Sequence, residues 1–249
     1  VGGAIGGYLV GQSRTTMAKL EFEDRKNVDE VYQSIIQELA DESPILRAAA
    51  AVKLGSILKS FPSEWTVSDK RKNQIIDLTK QVLGAALAVE SENKVLKTIT
   101  INMVLHRSNT NSGLAEVKNL DLSGARAKDA YWAKCDFEYA DFYLADLSDS
   151  SFRKSNLSGA QFREAMLNKA VLDESVCRGT NFKMADLRGA SFKNATLDGV
   201  NFEDAKVHSV SLISANILNL IDCNVDVSPN GDGSEILLLS EWLDRVSRG

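Results

Sequence analysis

The side chains that could do chemistry in this sequence are few and scattered. Two histidines are present, His106 and His208. Neither is accompanied by a second histidine or a cysteine at the spacing a tetrahedral zinc site needs. The three cysteines, Cys135, Cys177 and Cys223, form no C-x-x-C pair, and their odd number suits a reducing compartment. Asn230-Gly231-Asp232-Gly233 has the composition of a cation loop without the ligand order of an EF-hand, and Ser228-Pro229 before it reads as a turn. No phosphate-binding loop, dinucleotide fingerprint or nucleophile elbow occurs. The many Asp and Asn residues between 121 and 201 look like paired carboxylates. They recur at one fixed position, which points to hydrogen bonds with nearby backbone rather than to acid–base work. The expectation is a protein with no catalytic residues, no metal and no cofactor.

What fixes those Asp and Asn positions is a repeat. From Leu122 to Ile217 every fifth residue is large and apolar, twenty positions in all, with only Ala127 and Cys177 small. Two residues before most of these positions sits a small one, as in Ala125, Ala130, Cys135, Ala140 and Ala145. A period of five fits neither an α-helix nor a flat strand. It is the mark of a solenoid whose repeats contact only their neighbours.

The motif Ala140-Asp141-Phe142, repeated in Ala145-Asp146-Leu147, Ser155-Asn156-Leu157 and Ala185-Asp186-Leu187, resembles the pentapeptide-repeat family. The resemblance implies a right-handed, four-sided β-helix with four pentapeptides per coil, hence about five coils here. Residues twenty apart then stack. Phe142, Phe162, Phe182 and Phe202 form one column, Leu147, Leu167 and Leu187 the next, with Phe152 and Phe192 opposite the first. Coils spaced roughly 4.8 Å give a rod of roughly 24 Å. Cys135 and Cys177 point inward on different columns, too far apart to bridge. Glycines 124, 159, 179, 189 and 199 fall at corners, where φ is positive.

Outside the repeat the expectation is an α+β chain. Residues 1–27 are an apolar, glycine-rich lead, with Gly3, Gly7 and Gly11 spaced by four. They read either as the tail of a membrane segment or as a loose terminus. Residues 28–113 form four helices: one over 28–40, one opened by Ser43-Pro44, one from Ser68 and one capped by Ser91. The second resembles a HEAT-type helix in Pro44–Ile57; a generic four-helix cluster fits as well. Residues 119–224 are the β-helix. Residues 225–249 are a turn and a capping helix from Ser234, expected to fold back with Trp242 or Leu243 against Leu212, Ile217 or Leu218. The helices at either end would act as caps, because an open β-helix end exposes unpaired backbone.

Charge narrows the function. The net charge is −5, made up of +1 over residues 1–118, −3 over 119–224 and −3 over 225–249. No region is basic enough to bind nucleic acid. Some pentapeptide-repeat proteins mimic DNA and act on type II topoisomerases. That alternative needs a continuous negative surface, which Lys134, Arg153, Lys154, Arg163, Lys169 and further basic residues interrupt here. The leading expectation is a non-enzymatic interaction or scaffold protein with a protein partner and no small-molecule substrate. Its candidate contact residues are Tyr131, Tyr139, Tyr143, Leu144 and Met184, outward positions that are apolar and that either meet a partner or lie under the helical cap. The resemblance implies a cyanobacterial source. The cysteine usage gives the expectation of a cytoplasmic protein, with a membrane tether on the cytoplasmic side if a spanning segment precedes Val1.

Overall fold

Helical periodicity before residue 104 and the five-residue ladder after residue 115 build two separate units, residues 1–107 and 108–249. The structure is a computed structural model that describes residues 26–62, 67–103, 115–220 and 223–248. Most of the glycine-rich lead, His106, the 109–113 linker and Asp222 lie outside the described residues.

The helical unit contains α1 (Lys26–Leu39), α2 (Pro44–Lys59), α3 (Asp69–Val89) and α4 (Asn93–Met103). Helix α2 packs on α1, α3 and α4, and α3 also packs on α4. Tyr32, Ile36, Leu54, Leu83 and Ile99 form the core. Gly55 permits the closest approach in this unit, because a Cβ there would overlap the Asn102 side chain of α4. The Tyr32 hydroxyl is buried against Thr79 Oγ1 at 3.1 Å, and burial pushes its pKa up.

The helix starts use different chemistry from one another. Ser68 caps α3 by accepting from the Arg71 amide at 3.3 Å. Ser43 makes no such bond, and Pro44 starts α2 with its fixed φ. Before α4 the expected Ser91 cap is replaced by Glu90, whose Oε1 accepts from the Ser91 and Glu92 amides at 2.7 and 2.8 Å. Arg47 fixes that carboxylate in place. Its Nε and Nη2 donate to Glu90 at 2.6 and 3.1 Å, and its Nη1 donates to the Asp41 and Glu42 carbonyls at 3.0 and 2.8 Å. One buried guanidinium thus joins the α1–α2 turn to the α3–α4 turn.

In the second unit each pentapeptide makes one side of a coil. A short extended stretch carries the large residue inward, and a turn follows. Turns close with bonds such as Ala125 N–H to Leu122 O at 3.0 Å. Their third residue has positive φ, and beside the five expected glycines this position holds sixteen non-glycine residues, including Lys134, Tyr139, Leu144 and Met184. These corners cost each such residue conformational energy, which the ladder on both sides offsets.

Residues twenty apart pair in parallel, as in Asp141↔Gln161 and Gln161↔Asn181. Rung amides donate forward, Phe142 N–H to Gln161 O at 2.7 Å, and the preceding amides donate back, Asp141 N–H to Leu120 O at 2.9 Å. The named strands, β1 (Ala115–Glu116), β2 (Cys135–Asp136), β3 (Val176–Arg178), β4 (Thr196–Asp198) and β5 (Asn216–Leu218), are the longest such stretches. Pairing reaches back beyond Leu122: Ala115 pairs with Cys135, and Val117 is a buried rung beneath Phe137.

The column Phe142–Phe162–Phe182–Phe202 is stacked, with ring centroids 4.6, 5.1 and 5.5 Å apart and planes within 17°. Phe152 and Phe192 meet it edge-on at 85°. Stacking along one wall and edge contacts from the opposite wall fill a square interior without collision.

After the last coil, β6 (Asn224–Asp226) continues the ladder on one side, with Lys206↔Asp226 in parallel. The expected helix from Ser234 begins later, at α5 (Leu239–Arg248). Ile236–Leu238 form β7 instead, antiparallel to β6 with Val225 opposite Leu237. A strand satisfies the backbone edge of β6, which a helix could not do. It also explains why residues 236–246 carried more apolar side chains than one helical face can hold.

Candidate interaction surface

The inward half of every pentapeptide is used up in the core, so any site must be built from outward positions. The Asp and Asn residues before the rungs are not free for chemistry. Asp121, Asp136, Asp141, Asp146, Asn156, Asn181, Asp186 and Asn201 each accept from the amide two residues on, at 2.8–3.4 Å. They hold the turn that follows them. Among the described residues no group of three or more His, Cys, Asp or Glu could hold a metal ion.

The thiols form no disulfide. Burial pushes the Cys177 thiol up to about 12, so it is no nucleophile in the folded state. His208 is half-buried with Nδ1 3.2 Å from the Val227 carbonyl, a bond that ties it to the end of the unit. The 228–233 turn is an internal knot. The Asp226 carboxylate accepts from the Ser228 hydroxyl and from the Ser228 and Gly233 amides, while Arg188 donates to the Asn230 carbonyl at 2.6 Å.

Basic side chains neutralise acidic ones one coil along. Lys118 meets Glu138 at 2.7 Å, Arg153 meets Glu174 at 2.6 Å and Lys183 meets Glu203 at 2.8 Å. Arg188 sits on Asp186 of its own turn. Burial raises the Asp186 carboxyl, but hydrogen bonds from Arg188 outweigh it and the net shift is downward. The result is a patchwork of paired charge rather than a continuous negative face.

The five residues singled out in the sequence are exposed: Tyr131 by 73%, Tyr139 by 61%, Leu144 by 51%, Met184 by 45% and Tyr143 by 36%. The twenty-residue coil decides which of them share a face. Tyr139 and Leu144 occupy the corners flanking the Phe142 side, and Tyr143 lies between them. Met184 is two coils from Leu144 on one corner, about 10 Å along the axis. Tyr131 is ten residues, half a coil, from Asp141, so it sits on the opposite side of the unit. Met166, passed over in the sequence, is 45% exposed at the start of the side that follows the Leu144–Met184 corner. Its signal was available, an apolar residue where the repeat has Asp or Asn.

Two contacts stiffen this face. The Tyr139 ring lies over Gly159, where a Cβ would come within 2.4 Å of it. The Arg163 guanidinium lies over the Tyr143 ring, 5.6 Å from its centroid. Rings held flat this way lose little further entropy on binding.

A second feature lies at the end of the unit. Leu212, Ile217, Leu243 and Val246 line a cleft of about 960 Å³ between the last coil and α5. Trp242 is buried, while Leu243 faces the last coil across this cleft.

The geometry defines a solenoid of five-residue repeats, and the sequence comparisons agree. The family described as "Pentapeptide repeat region" matches residues 125–202 and 145–221. Residues 125–221 are therefore a pentapeptide-repeat region, and proteins built of such repeats form right-handed quadrilateral β-helices. No curated protein matches the chain at a significant level. Among solved structures it is similar to a pentapeptide repeat protein of the Arabidopsis thaliana thylakoid lumen, at 27% identity over 38% of this chain and 66% of that one, with TM-score 0.38. It is also similar to HetL of Nostoc sp. strain PCC 7120, involved in heterocyst differentiation regulation, at 26% identity over 43% and 61%, with TM-score 0.25. QnrB1, a plasmid-mediated fluoroquinolone resistance protein, matches at 20% identity over 42% and 61%, with TM-score 0.27. The chain spans less than two thirds of the length of each of these proteins. Among the described residues no helix is long and apolar enough to cross a membrane.

Proposed function

We propose that this chain is a non-enzymatic interaction protein whose repeat unit presents Tyr139, Tyr143, Leu144, Met166 and Met184 to a protein partner. The observation that carries this reading is the clustering of these exposed apolar side chains on the Phe142 side, its two corners and the start of the side that follows. Tyrosine and methionine are rich in contact area for the entropy they lose, which suits a binding surface. The Asp and Asn positions before the rungs are occupied by turn hydrogen bonds, which supports a structural rather than a catalytic role for them. DNA mimicry is the weaker reading, because the cross-coil ion pairs break up the negative potential it needs. We place the protein in the cytoplasm, on the strength of its odd and unbridged cysteines. A repeat unit of about five coils is part of the same proposal.

The test is site-specific photocrosslinking. A photoreactive side chain replaces Tyr143 in one variant and Tyr131 in another, and each is irradiated in extract of the native cell. A discrete adduct at position 143 and none at 131 is the expected outcome. Equal labelling at both positions, or none at 143, rejects this face.

A further inference from the structure

The last coil ends differently on adjoining sides. On the side of Val207 the chain lays down a further strand itself: Val207 N–H donates to Asp226 O at 2.8 Å, and Asp226 N–H to Ala205 O at 2.8 Å. Val207 is completely buried as a result. The next two sides carry no such strand among the described residues. One coil earlier, Phe192 and Asn194 donate to the Ser211 and Ile213 carbonyls, and the Ala190 and Ala195 carbonyls accept from Ser211 and Asn216. The equivalent amides of Leu212 and Ser214 and carbonyls of Val210 and Ala215 have no backbone partner among the described residues. Of the twenty rungs, only Leu212 and Ile217 are not buried. Beside them Ile213 is 64% exposed and Leu218 is 46% exposed. The cleft under α5 lies over Leu212, Ile213 and Ile217.

A small apolar ligand would cover the rungs and leave the backbone groups unmet. An extended peptide meets both needs, and β6 shows on the adjoining side that this coil accepts one in the ladder register. We propose that the cleft binds an extended segment of a partner protein, added as a parallel strand along the bare edge of residues 210–217. The segment would carry two large apolar side chains five residues apart, one over Leu212 and one over Ile217, each preceded two positions earlier by a small residue. Main-chain bonds would supply affinity, and the two uncovered rungs specificity. This site is separate from the tyrosine-bearing face and stands or falls independently of it.

The probe is a fluorescein-labelled peptide with the sequence of Ala190–Asp198, which covers the same two sides one coil earlier. In the chain, Thr196 N–H points back to Ser175 O and Phe192 N–H points forward to Ser211 O. In the bound peptide the first would face Ala215 O and the second would face away from the coil. Fluorescence anisotropy with the full chain should show saturable binding. N-methylation at the Thr196 nitrogen should weaken it at least tenfold, and N-methylation at the Phe192 nitrogen less than threefold. Val246→Glu, on the far wall of the cleft, should abolish binding while the circular dichroism melt is unchanged.

The proposal is overturned if both methylated peptides bind alike, if Val246→Glu binds normally, or if no binding occurs up to millimolar peptide. Sedimentation velocity supplies the remaining arm. A dimer that Ile213→Asp dissociates, and that the peptide does not, would mean that a second copy occupies the edge instead.

Discussion

In the repeat unit Phe162 is buried because residues twenty positions away, Phe142 and Phe182, are held one coil above and below it. In the helical unit Tyr32 is buried because several helices of unrelated sequence converge on it, and its hydroxyl must then find Thr79. The first core repeats one rule, and buried hydroxyls such as Ser155 and Thr180 donate to carbonyls of the coil before, Trp132 and Leu157. The second is assembled once, from unlike parts, and uses a buried ion pair to lock two turns together. A repeated core spreads its stability over many equivalent contacts. A single core concentrates it in a few that cannot be exchanged.

The largest effect expected from this contrast is in the aromatic column. Phe162→Ala should cost about 3–5 kcal/mol of stability in chemical denaturation, because the neighbours above and below are held by the ladder and cannot collapse into the gap. A loss under about 1 kcal/mol would mean that the column is not the core.

Arg47→Ala should cost about 3 kcal/mol in the helical unit, since it leaves the Glu90 carboxylate buried without its partner. Replacing Arg47 and Glu90 together with Met and Gln should recover much of that loss. A double variant as unstable as the single one would show that the guanidinium matters for its bonds to Asp41 and Glu42 instead.

The same pair makes the helical unit sensitive to acid. Burial pushes the Glu90 carboxyl up, but hydrogen bonds from Arg47 and the Glu92 and Ser91 amides pull it down further, so it titrates below its ordinary 4.5. A carboxyl depressed in the folded state contributes stability above its unfolded value and loses it as pH falls through the folded one. Helical ellipticity in partial denaturant should therefore drop below about pH 4.5 in the wild type. Glu90→Gln should be less stable at neutral pH and show a flatter acid limb. An unchanged acid limb would remove Glu90 from the account.

The smallest effect lies at the corners. Lys134 holds φ +59° without being glycine. Lys134→Gly should stabilise the repeat unit by about 0.5–1 kcal/mol, relief of strain exceeding the added freedom of the unfolded chain. The same change at Lys53, inside α2, should destabilise by about 1 kcal/mol. Thermal melts of the two variants should shift in opposite directions.

The period of five was legible because every pentapeptide states it again, and the Phe142–Phe202 column follows from counting by twenty. The turn role of Asp141 or Asn181 was legible for the same reason. What escaped were features that occur once. Val117 lies before the clean motif begins, and its inward place depends on pairing between β1 and β2. Ile236–Leu238 has the apolar pattern of either a strand or a helix turn, and the edge offered by β6 decides between them. Glu90 caps α4 because Arg47, forty-three residues earlier, aims it. The separation of Tyr131 from Tyr143 could have been read, since twelve residues is more than half a coil.

The twenty-residue register also gives the repeat unit a system of addresses. Dividing a residue's offset along the chain by twenty yields its height as the quotient and its bearing around the axis as the remainder. Leu144 and Met184 share a bearing and differ by two steps in height. Leu144 and Tyr139 share a height and differ by a quarter turn. An insertion of five residues would therefore rotate every later column by that quarter turn and break the aromatic stack. An insertion of twenty would lengthen the unit by one step and leave every bearing as it was. Divergence by whole coils changes the reach of such a molecule, while divergence by single pentapeptides changes which way its surfaces face.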